Sequence, residues 1–148
     1  MKAITRRNAC VHLWLIVILI GGVCATLAKT RNGIELNEIA FSFAAELINK
    51  GHVVADGKGA WAKDRPSAYE DDEFIRLHGF AEYAKWHLGV DRRFPENSKR
   101  RYKFPYGDFK HVHRCGLLAA KARAGEYRYA DIENAAAELE QAIKKRTD

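Results

Sequence analysis

The first apolar stretch with helical spacing follows a clear start signal. Asn32 can cap a helix and Glu35 stands three residues further on, while Leu36, Ala40, Phe43 and Leu47 continue the spacing. Gly51 predicts the end of this helix. The segment 52–61, HVVADGKGAW, places Asp-Gly between short apolar runs, which predicts a turn or one small β-hairpin.

The segment 67–79, SAYEDDEFIRLHG, predicts a second helix with a strong local start. Ser67 and Glu70 have the spacing of a capping box, and acidic residues fill the first turns, where the helix dipole favours them. Gly79 predicts the end of this helix. A further short helix is predicted over residues 80–89.

Residues 90–107 are predicted to be irregular, since two prolines interrupt them. Asp108 then predicts a cap for a helix over residues 109–124, and Asp131 predicts the start of the last helix. One face of that last helix carries apolar residues at regular intervals, namely Ile132, Ala136, Leu139 and Ile143. Together these patterns predict an all-α fold, a compact bundle of four to five short helices with at most one small hairpin near 52–61.

Residues 8–28 contain no Lys, Arg, Asp or Glu and follow two arginines. This pattern predicts that residues 1–29 form a signal peptide or a membrane-anchor helix, ahead of a single α-helical domain over residues 30–148. We therefore expect a membrane-anchored or exported protein. The alternative is a cytoplasmic protein whose true start lies downstream of the apolar segment.

The net charge of +6 is unevenly distributed. Residues 1–29 carry four basic residues and no acidic one, so residues 30–148 are only +2. Within them, residues 92–114 form a basic stretch of +6, with eight cations against Glu96 and Asp108. The charge therefore points to one local surface and not to a basic domain that binds polyanions over its whole face.

The basic stretch interleaves cations with aromatic rings, a combination that can hold phosphates and stack on bases, or anchor a loop to the core while the cations stay solvated. Tyr102, Phe104 and Tyr106 alternate with Lys103 and Pro105, which favours the second interpretation. We predict that it forms a basic-aromatic surface made of Arg92, Arg93, Lys99, Arg100, Arg101, Lys103, Lys110, Arg114, Tyr102 and Tyr106.

Cys115 lies in an H-x-H-x-C pattern, whose residue types can bind a metal ion or carry out thiol chemistry. On a helix, His111 and Cys115 share a face while His113 points about 200° away from His111. Two ligands, His111 and Cys115, are too few for a closed zinc site, so we predict no metal and no cofactor. We find no catalytic motif and predict that the protein is not an enzyme.

Three segments carry a family resemblance: YAKWHLGVD at 83–91, KRRYKFPYGDFKHVHRCGLLAAKARAG at 99–125 and YADIENAAAEL at 129–139. Over about residues 35–145 the chain resembles a family of small uncharacterised bacterial proteins with a RYKFPYGDF block leading into VHRxGLxAA. A looser version of this pattern resembles a segment found near phage prohead proteases. The resemblance implies a cytoplasmic protein and carries no activity with it.

These observations predict a non-enzymatic interaction domain whose basic-aromatic stretch is available to an acidic protein or a membrane surface. The alternative is a cytoplasmic module that binds nucleic acid through the same stretch. The two differ in the salt dependence of binding, which is steep when phosphates are neutralised.

Overall fold

The structure is a computed structural model that describes residues 33–147. The predicted signal or anchor segment 1–29 and the predicted cap Asn32 lie outside the described residues. Within residues 33–147, none of the helices has both the length and the apolar character required to cross a bilayer.

The fold is mixed α/β, so the prediction of an all-α bundle is wrong. The described part of the chain contains five α-helices: α1 Glu38–Lys50, α2 Trp61–Asp64, α3 Ala68–Ala84, α4 Arg114–Glu126 and α5 Ala130–Thr147. It also contains five short strands: β1 Ile34–Leu36, β2 Val53–Val54, β3 His87–Asp91, β4 Tyr102–Pro105 and β5 Val112–His113. One turn of 3₁₀ helix, Lys99–Arg101, precedes β4.

The strands form two sheets. In the first, β3 lies between β1 and β4 and pairs antiparallel with both, so that Ile34 faces Asp91 and Tyr102 faces Val90. In the second, β2 and β5 run parallel, and Val53 faces Val112. Each strand has two to five residues, which is too short for the alternating pattern by which strands are recognised in a sequence.

Strand β3 escaped prediction because it is central and its residues are mostly buried, so its sequence HLGVD does not alternate. Gly89, the predicted end of the helix over residues 80–89, lies in the middle of this strand. A Cβ at position 89 would stand 2.6 Å from the Phe104 ring and 3.2 Å from Ile132. The glycine is therefore needed because the ring of Phe104 packs directly against the backbone of β3.

The first helix starts later than predicted, since β1 occupies residues 34–36 and Asn37 is the actual N-cap. The Asn37 side chain accepts a hydrogen bond from the Ala40 amide and donates to the carbonyls of Ala84 and His87, at 2.9 and 3.1 Å. One buried amide thus caps α1 and holds the turn between α3 and β3. The predicted end at Gly51 is confirmed, with φ of 83°.

Of the two alternatives predicted for residues 52–61, the hairpin is wrong and a turn forms, over residues 58–60. Strand β2 pairs with β5, almost sixty residues further along the chain, and not with the residues that follow Asp56-Gly57. Asp56 instead uses its carboxylate to bind the first turn of α4.

The predicted capping box is confirmed: the Ser67 hydroxyl accepts from the Glu70 amide, and the Glu70 carboxylate accepts from the Ser67 amide. The break at Gly79 is also confirmed, since Gly79 has φ of 80° and interrupts the helical backbone within α3. The second half of α3 then ends at Ala84 and not at Gly89.

Helix α4 starts at Arg114, not at residue 109 as predicted. The Asp108 carboxylate accepts hydrogen bonds from the amides of Lys110 and His111, at 2.9 and 2.6 Å, and so caps a turn that leads into β5. Turn and helix starts use the same residue types, and here the chain makes a strand before the helix begins.

The core is built from α1, α4, α5 and residues of both sheets, and its most extensive contact is between α4 and α5. The predicted apolar face of α5 is confirmed, because Ile132, Ala136, Leu139 and Ile143 are all buried. Leu117, Ala120 and Ala124 of α4 are buried against this face, and the alanines allow the two helices to approach closely.

His87 makes the stability of the fold depend on pH. The side chain is buried and its Nδ1 lies 3.0 Å from the Tyr83 carbonyl. Burial, and secondarily the charge of Lys103, lower the pKa of His87 from 6.5 to about 4. As the pH falls below 6.5, His87 is protonated in the unfolded chain but stays neutral in the folded chain. The free energy of unfolding therefore decreases between pH 6.5 and about 4.

We expect the free energy of unfolding to fall by about 2 kcal/mol more in the wild type than in His87→Gln between pH 7 and pH 5. Urea denaturation at the two pH values measures this difference. His78→Gln, which removes an exposed histidine, is the control. Its free energy of unfolding should fall by the same amount as that of the wild type between the two pH values. An equal fall in the free energy of unfolding of His87→Gln and the wild type would contradict the role of His87 in the pH dependence.

Candidate functional site

A groove of about 490 Å³ lies beside β4 and α4. Four aromatic residues and three cations line most of it: Trp61, Phe104, Tyr127, Tyr129, Arg65, Lys103 and Arg123. We call this surface the aromatic-basic groove. It draws residues from the N-terminal end of α2, from β4 and from the connection between α4 and α5, which are far apart in the sequence.

Two aromatic walls of the groove are set by unusual backbone. Phe104 has φ of 60°, and so does Arg128, which separates Tyr127 from Tyr129. A non-glycine residue in the left-handed region costs on the order of 1–3 kcal/mol, and such residues concentrate at functional sites. The rings of Phe104 and Tyr129 meet edge to face at 5.8 Å. The chain thus accepts local strain at both segments that shape the groove.

The groove has a positive field. Arg65, Lys103 and Arg123 line it, and its described lining includes no aspartate or glutamate. Arg123 lies over the Tyr127 ring at 4.6 Å and reaches Glu126, with both side chains 61% exposed. An ion pair that exposed contributes little, so Arg123 stays available to a ligand. A bound molecule would meet cations and aromatic faces together.

The cations of the basic stretch are dispersed in the structure. Five of the eight form ion pairs with nearby carboxylates: Arg92 with Glu35, Arg93 with Asp91, Lys99 with Asp72, Arg101 with Glu96 and Arg114 with Glu140. Arg100 lies over the ring of Phe94 at 4.4 Å, and Lys103 over the same ring at 5.8 Å. Lys110 is exposed on the turn before β5. Only Lys103 of these eight lines the aromatic-basic groove.

The two tyrosines predicted for the basic-aromatic surface are core residues. Tyr106 is fully buried, and its hydroxyl lies 2.6 Å from the Lys85 carbonyl and 3.2 Å from the Ala40 carbonyl. Tyr102 is 9% exposed and donates to the Glu96 carbonyl at 2.7 Å. Neither ring can stack on a ligand, so the surface predicted from the sequence loses its aromatic part. The prediction that these rings anchor the loop to the core is confirmed by their burial.

A second constellation lies behind Trp61, where Asp56, Asp64, His113 and Cys115 place one potential ligand atom each within 4.8 Å of one another. Asp56 Oδ2 accepts hydrogen bonds from His113 Nδ1 at 2.7 Å and from Cys115 Sγ at 2.9 Å. Asp56 Oδ1 accepts from the Cys115 amide at 2.6 Å. We call these four residues the buried polar cluster.

Electrostatics within the buried polar cluster keeps the carboxylate charged and the thiol neutral. Burial disfavours the charge of Asp56, but hydrogen bonds from Cys115 and His113 outweigh it and lower the pKa of the carboxyl. Burial, the Asp56 hydrogen bond and the charges of Asp56 and Asp64 raise the pKa of the Cys115 thiol to about 12. A nucleophilic cysteine needs the opposite shift, so this thiol is not prepared for attack.

The pair predicted as possible metal ligands, His111 and Cys115, is not brought together. His111 lies 3.5 Å from Asp108 and faces His52, whereas His113 is the histidine of the buried polar cluster. The reason is local: residues 112–113 are strand and not helix, so the helical spacing that joined His111 to Cys115 does not apply.

Sequence reasoning missed most of the groove, including Trp61, Arg65, Tyr127 and Tyr129. One signal was available for the last two, since the segment EYRY at 126–129 places tyrosines on both sides of an arginine in a helix connection. Asp56 and Asp64 carried no local signal for the cluster.

Comparison of the chain with protein-family models, with curated proteins and with solved structures finds no match in any of the three. The resemblance to small bacterial proteins stays a prediction from the sequence.

The burial of Tyr106 predicts a clear ranking of stabilities. Tyr106→Ala should lower the free energy of unfolding by about 3–5 kcal/mol, because it opens a cavity and leaves the Lys85 carbonyl unpaired. Arg100→Ala should change it by less than about 0.5 kcal/mol, since that side chain is exposed. Chemical denaturation measures both, and the reverse ranking would show that the stretch does not anchor the core.

Proposed function

We propose that residues 30–148 form a non-enzymatic binding domain whose aromatic-basic groove holds an acidic protein segment bearing an aromatic or large apolar side chain. The observation that carries the proposal is the combination of three cations with four aromatic rings in a groove whose described lining has no acid. Carboxylates of a partner would pair with Arg65, Lys103 and Arg123, and an apolar side chain would pack between the rings.

A binding role fits this geometry better than catalysis. The groove offers hydrogen-bond donors and apolar faces, and none of the residues of the buried polar cluster lines it. Arg and aromatic residues of this kind dominate the energy of many interfaces, because they bury large areas and keep a polar tip.

Single-stranded nucleic acid is the second candidate ligand. The observation that favours it is Tyr127, which is 49% exposed, lies at 22° to the Tyr129 ring and has the Arg123 guanidinium over its face. Bases stack on such rings. Against it stands the pairing of five cations of the basic stretch with carboxylates of the protein, because a strand longer than the groove would have to displace those pairs.

The test uses the full-length chain and two fluorescent probes, an Asp/Glu-rich peptide with one central Trp and an oligothymidylate of similar length. We expect the peptide to bind, and Lys103→Glu/Arg123→Glu to raise its Kd about tenfold or more, because each change replaces an attraction with a repulsion. Anisotropy titrations measure both probes.

The matched control is Arg100→Glu/Lys110→Glu, which removes the same charge outside the groove and should leave the Kd within about twofold. Equal weakening by both variants would contradict the groove and favour the basic stretch as a diffuse surface. Binding of the oligonucleotide alone, with affinity falling steeply with salt, would replace the protein partner with nucleic acid.

We further propose that residues 8–28 anchor the chain in a membrane or direct its export, with a cytoplasmic chain as the alternative. The support is the charge-free apolar run after Arg6 and Arg7. Cell fractionation with an intact mass tests this. A membrane-bound full-length chain, or an exported chain cut near Ala25 or Ala28, is expected. A soluble cytoplasmic protein that starts near residue 30 would contradict it.

A further inference from the structure

We propose that the buried polar cluster of Asp56, Asp64, His113 and Cys115 binds one divalent transition-metal ion of the zinc class. One sulfur, one imidazole nitrogen and two carboxylates lie within 4.8 Å of one another. These are the donor atoms that Zn²⁺ takes in tetrahedral protein sites, where metal–ligand distances are about 2.0–2.3 Å. The mixture of soft and hard donors disfavours Mg²⁺ and Ca²⁺, which take oxygen ligands.

The parallel pairing of β2 with β5 is what assembles the cluster. Val54 faces His113 at the end of this two-stranded sheet, so the residues that come next on the two strands leave it in the same direction. Asp56, two residues beyond β2, therefore meets Cys115, two residues beyond His113. Asp64, the fourth member of the cluster, is the last residue of α2. Four ligands from three separate segments converge without a local sequence motif.

The hydrogen bonds within the cluster already hold the ligand atoms together. Asp56 Oδ2 lies 2.7 Å from His113 Nδ1 and 2.9 Å from Cys115 Sγ, with a proton in each contact. A cation that replaces these two protons needs only small movements of the three side chains. Asp56 Oδ1 keeps its bond to the Cys115 amide meanwhile, which orients the carboxylate.

The outer ring nitrogen of His113 faces a carboxylate, which is an arrangement that suits a metal-bound histidine. His113 is 6% exposed, and its Nε2 lies 3.4 Å from Asp108 Oδ2. When Nδ1 binds a metal, the neutral ring carries its proton on Nε2, which then faces the Asp108 carboxylate. Metal-binding histidines are commonly oriented by a carboxylate in this way.

The protons balance in this exchange. The imidazole proton moves from Nδ1 to Nε2 and stays on the ring, the thiol proton is released to solvent, and the cation forms bonds to nitrogen, sulfur and oxygen. No oxidant or reductant is required. With four protein ligands the coordination is closed, which is typical of structural sites and not of catalytic ones.

The metal would join α2 to the start of α4. Helix α2 has only four residues, and it contributes Trp61, whose ring lies 5.9 Å from that of His113 and lines the aromatic-basic groove. The site is separate from the groove, so metal binding does not depend on the identity of the groove's ligand.

The test uses the full-length chain without a polyhistidine tag, carrying Cys10→Ser and Cys24→Ser so that Cys115 is the only thiol. After chelation and dialysis it is titrated with Co²⁺ and then Zn²⁺. We expect one ion per chain, a cobalt–thiolate charge-transfer band that Zn²⁺ abolishes, and a higher melting temperature with Zn²⁺.

His113→Gln should abolish the cobalt–thiolate band, and Asp108→Asn should weaken binding about 10–100-fold, as expected for the loss of an orienting carboxylate. His111→Gln is the matched control, a neighbouring histidine outside the cluster, and should bind like its parent. The proposal is overturned if the parent shows no band, or if His111→Gln loses it as His113→Gln does. Circular dichroism of each variant without metal separates a lost ligand from a lost fold.

Discussion

The Asp56 carboxylate makes the contacts on which the start of α4 and the aromatic-basic groove depend. It lies in the loop after β2, yet it satisfies the Cys115 amide in the first turn of α4, where no backbone acceptor within the helix is available. It also binds the His113 ring that precedes the helix. One charged group thus fixes the loop, the β2–β5 pairing and the direction of α4. Since α4 forms one wall of the groove, the contacts of Asp56 with the start of α4 also determine where this wall lies.

The distribution of charge separates the two sites. Two half-buried carboxylates, Asp56 and Asp64, lie beside the buried His113 and Cys115, while the cations of the groove lie among aromatic rings. Five of the eight cations of the basic stretch form ion pairs, and three of these reach carboxylates of other segments, namely Glu35, Asp72 and Glu140. A run of like charge in the sequence therefore became a set of tertiary ion pairs. The cations left around the groove come mostly from elsewhere in the chain.

The pattern H-x-H-x-C shows how the local conformation decides which side chains lie together. Helical spacing joins His111 to Cys115, whereas the junction between β5 and α4 joins His113 to Cys115. The neighbours of Cys115 depended on two residues of strand, 112–113, that no pattern in the sequence revealed. The other two members, Asp56 and Asp64, precede Cys115 by more than fifty residues, and nothing nearby distinguishes them from other surface acids.

The sequence by itself determined the features whose hydrogen bonds close within about four residues. These are the Ser67–Glu70 capping box, the glycine ends and breaks at Gly51 and Gly79, and the apolar face of α5. Tertiary structure alone decided the two sheets, the groove and the buried polar cluster. Each of these joins backbone or side-chain groups across tens of residues, as Asp56 does with Cys115 and Asn37 with His87. Such pairings depend on which polar groups still lack a hydrogen-bond partner once the helices have packed. The local periodicity of the sequence does not contain this information.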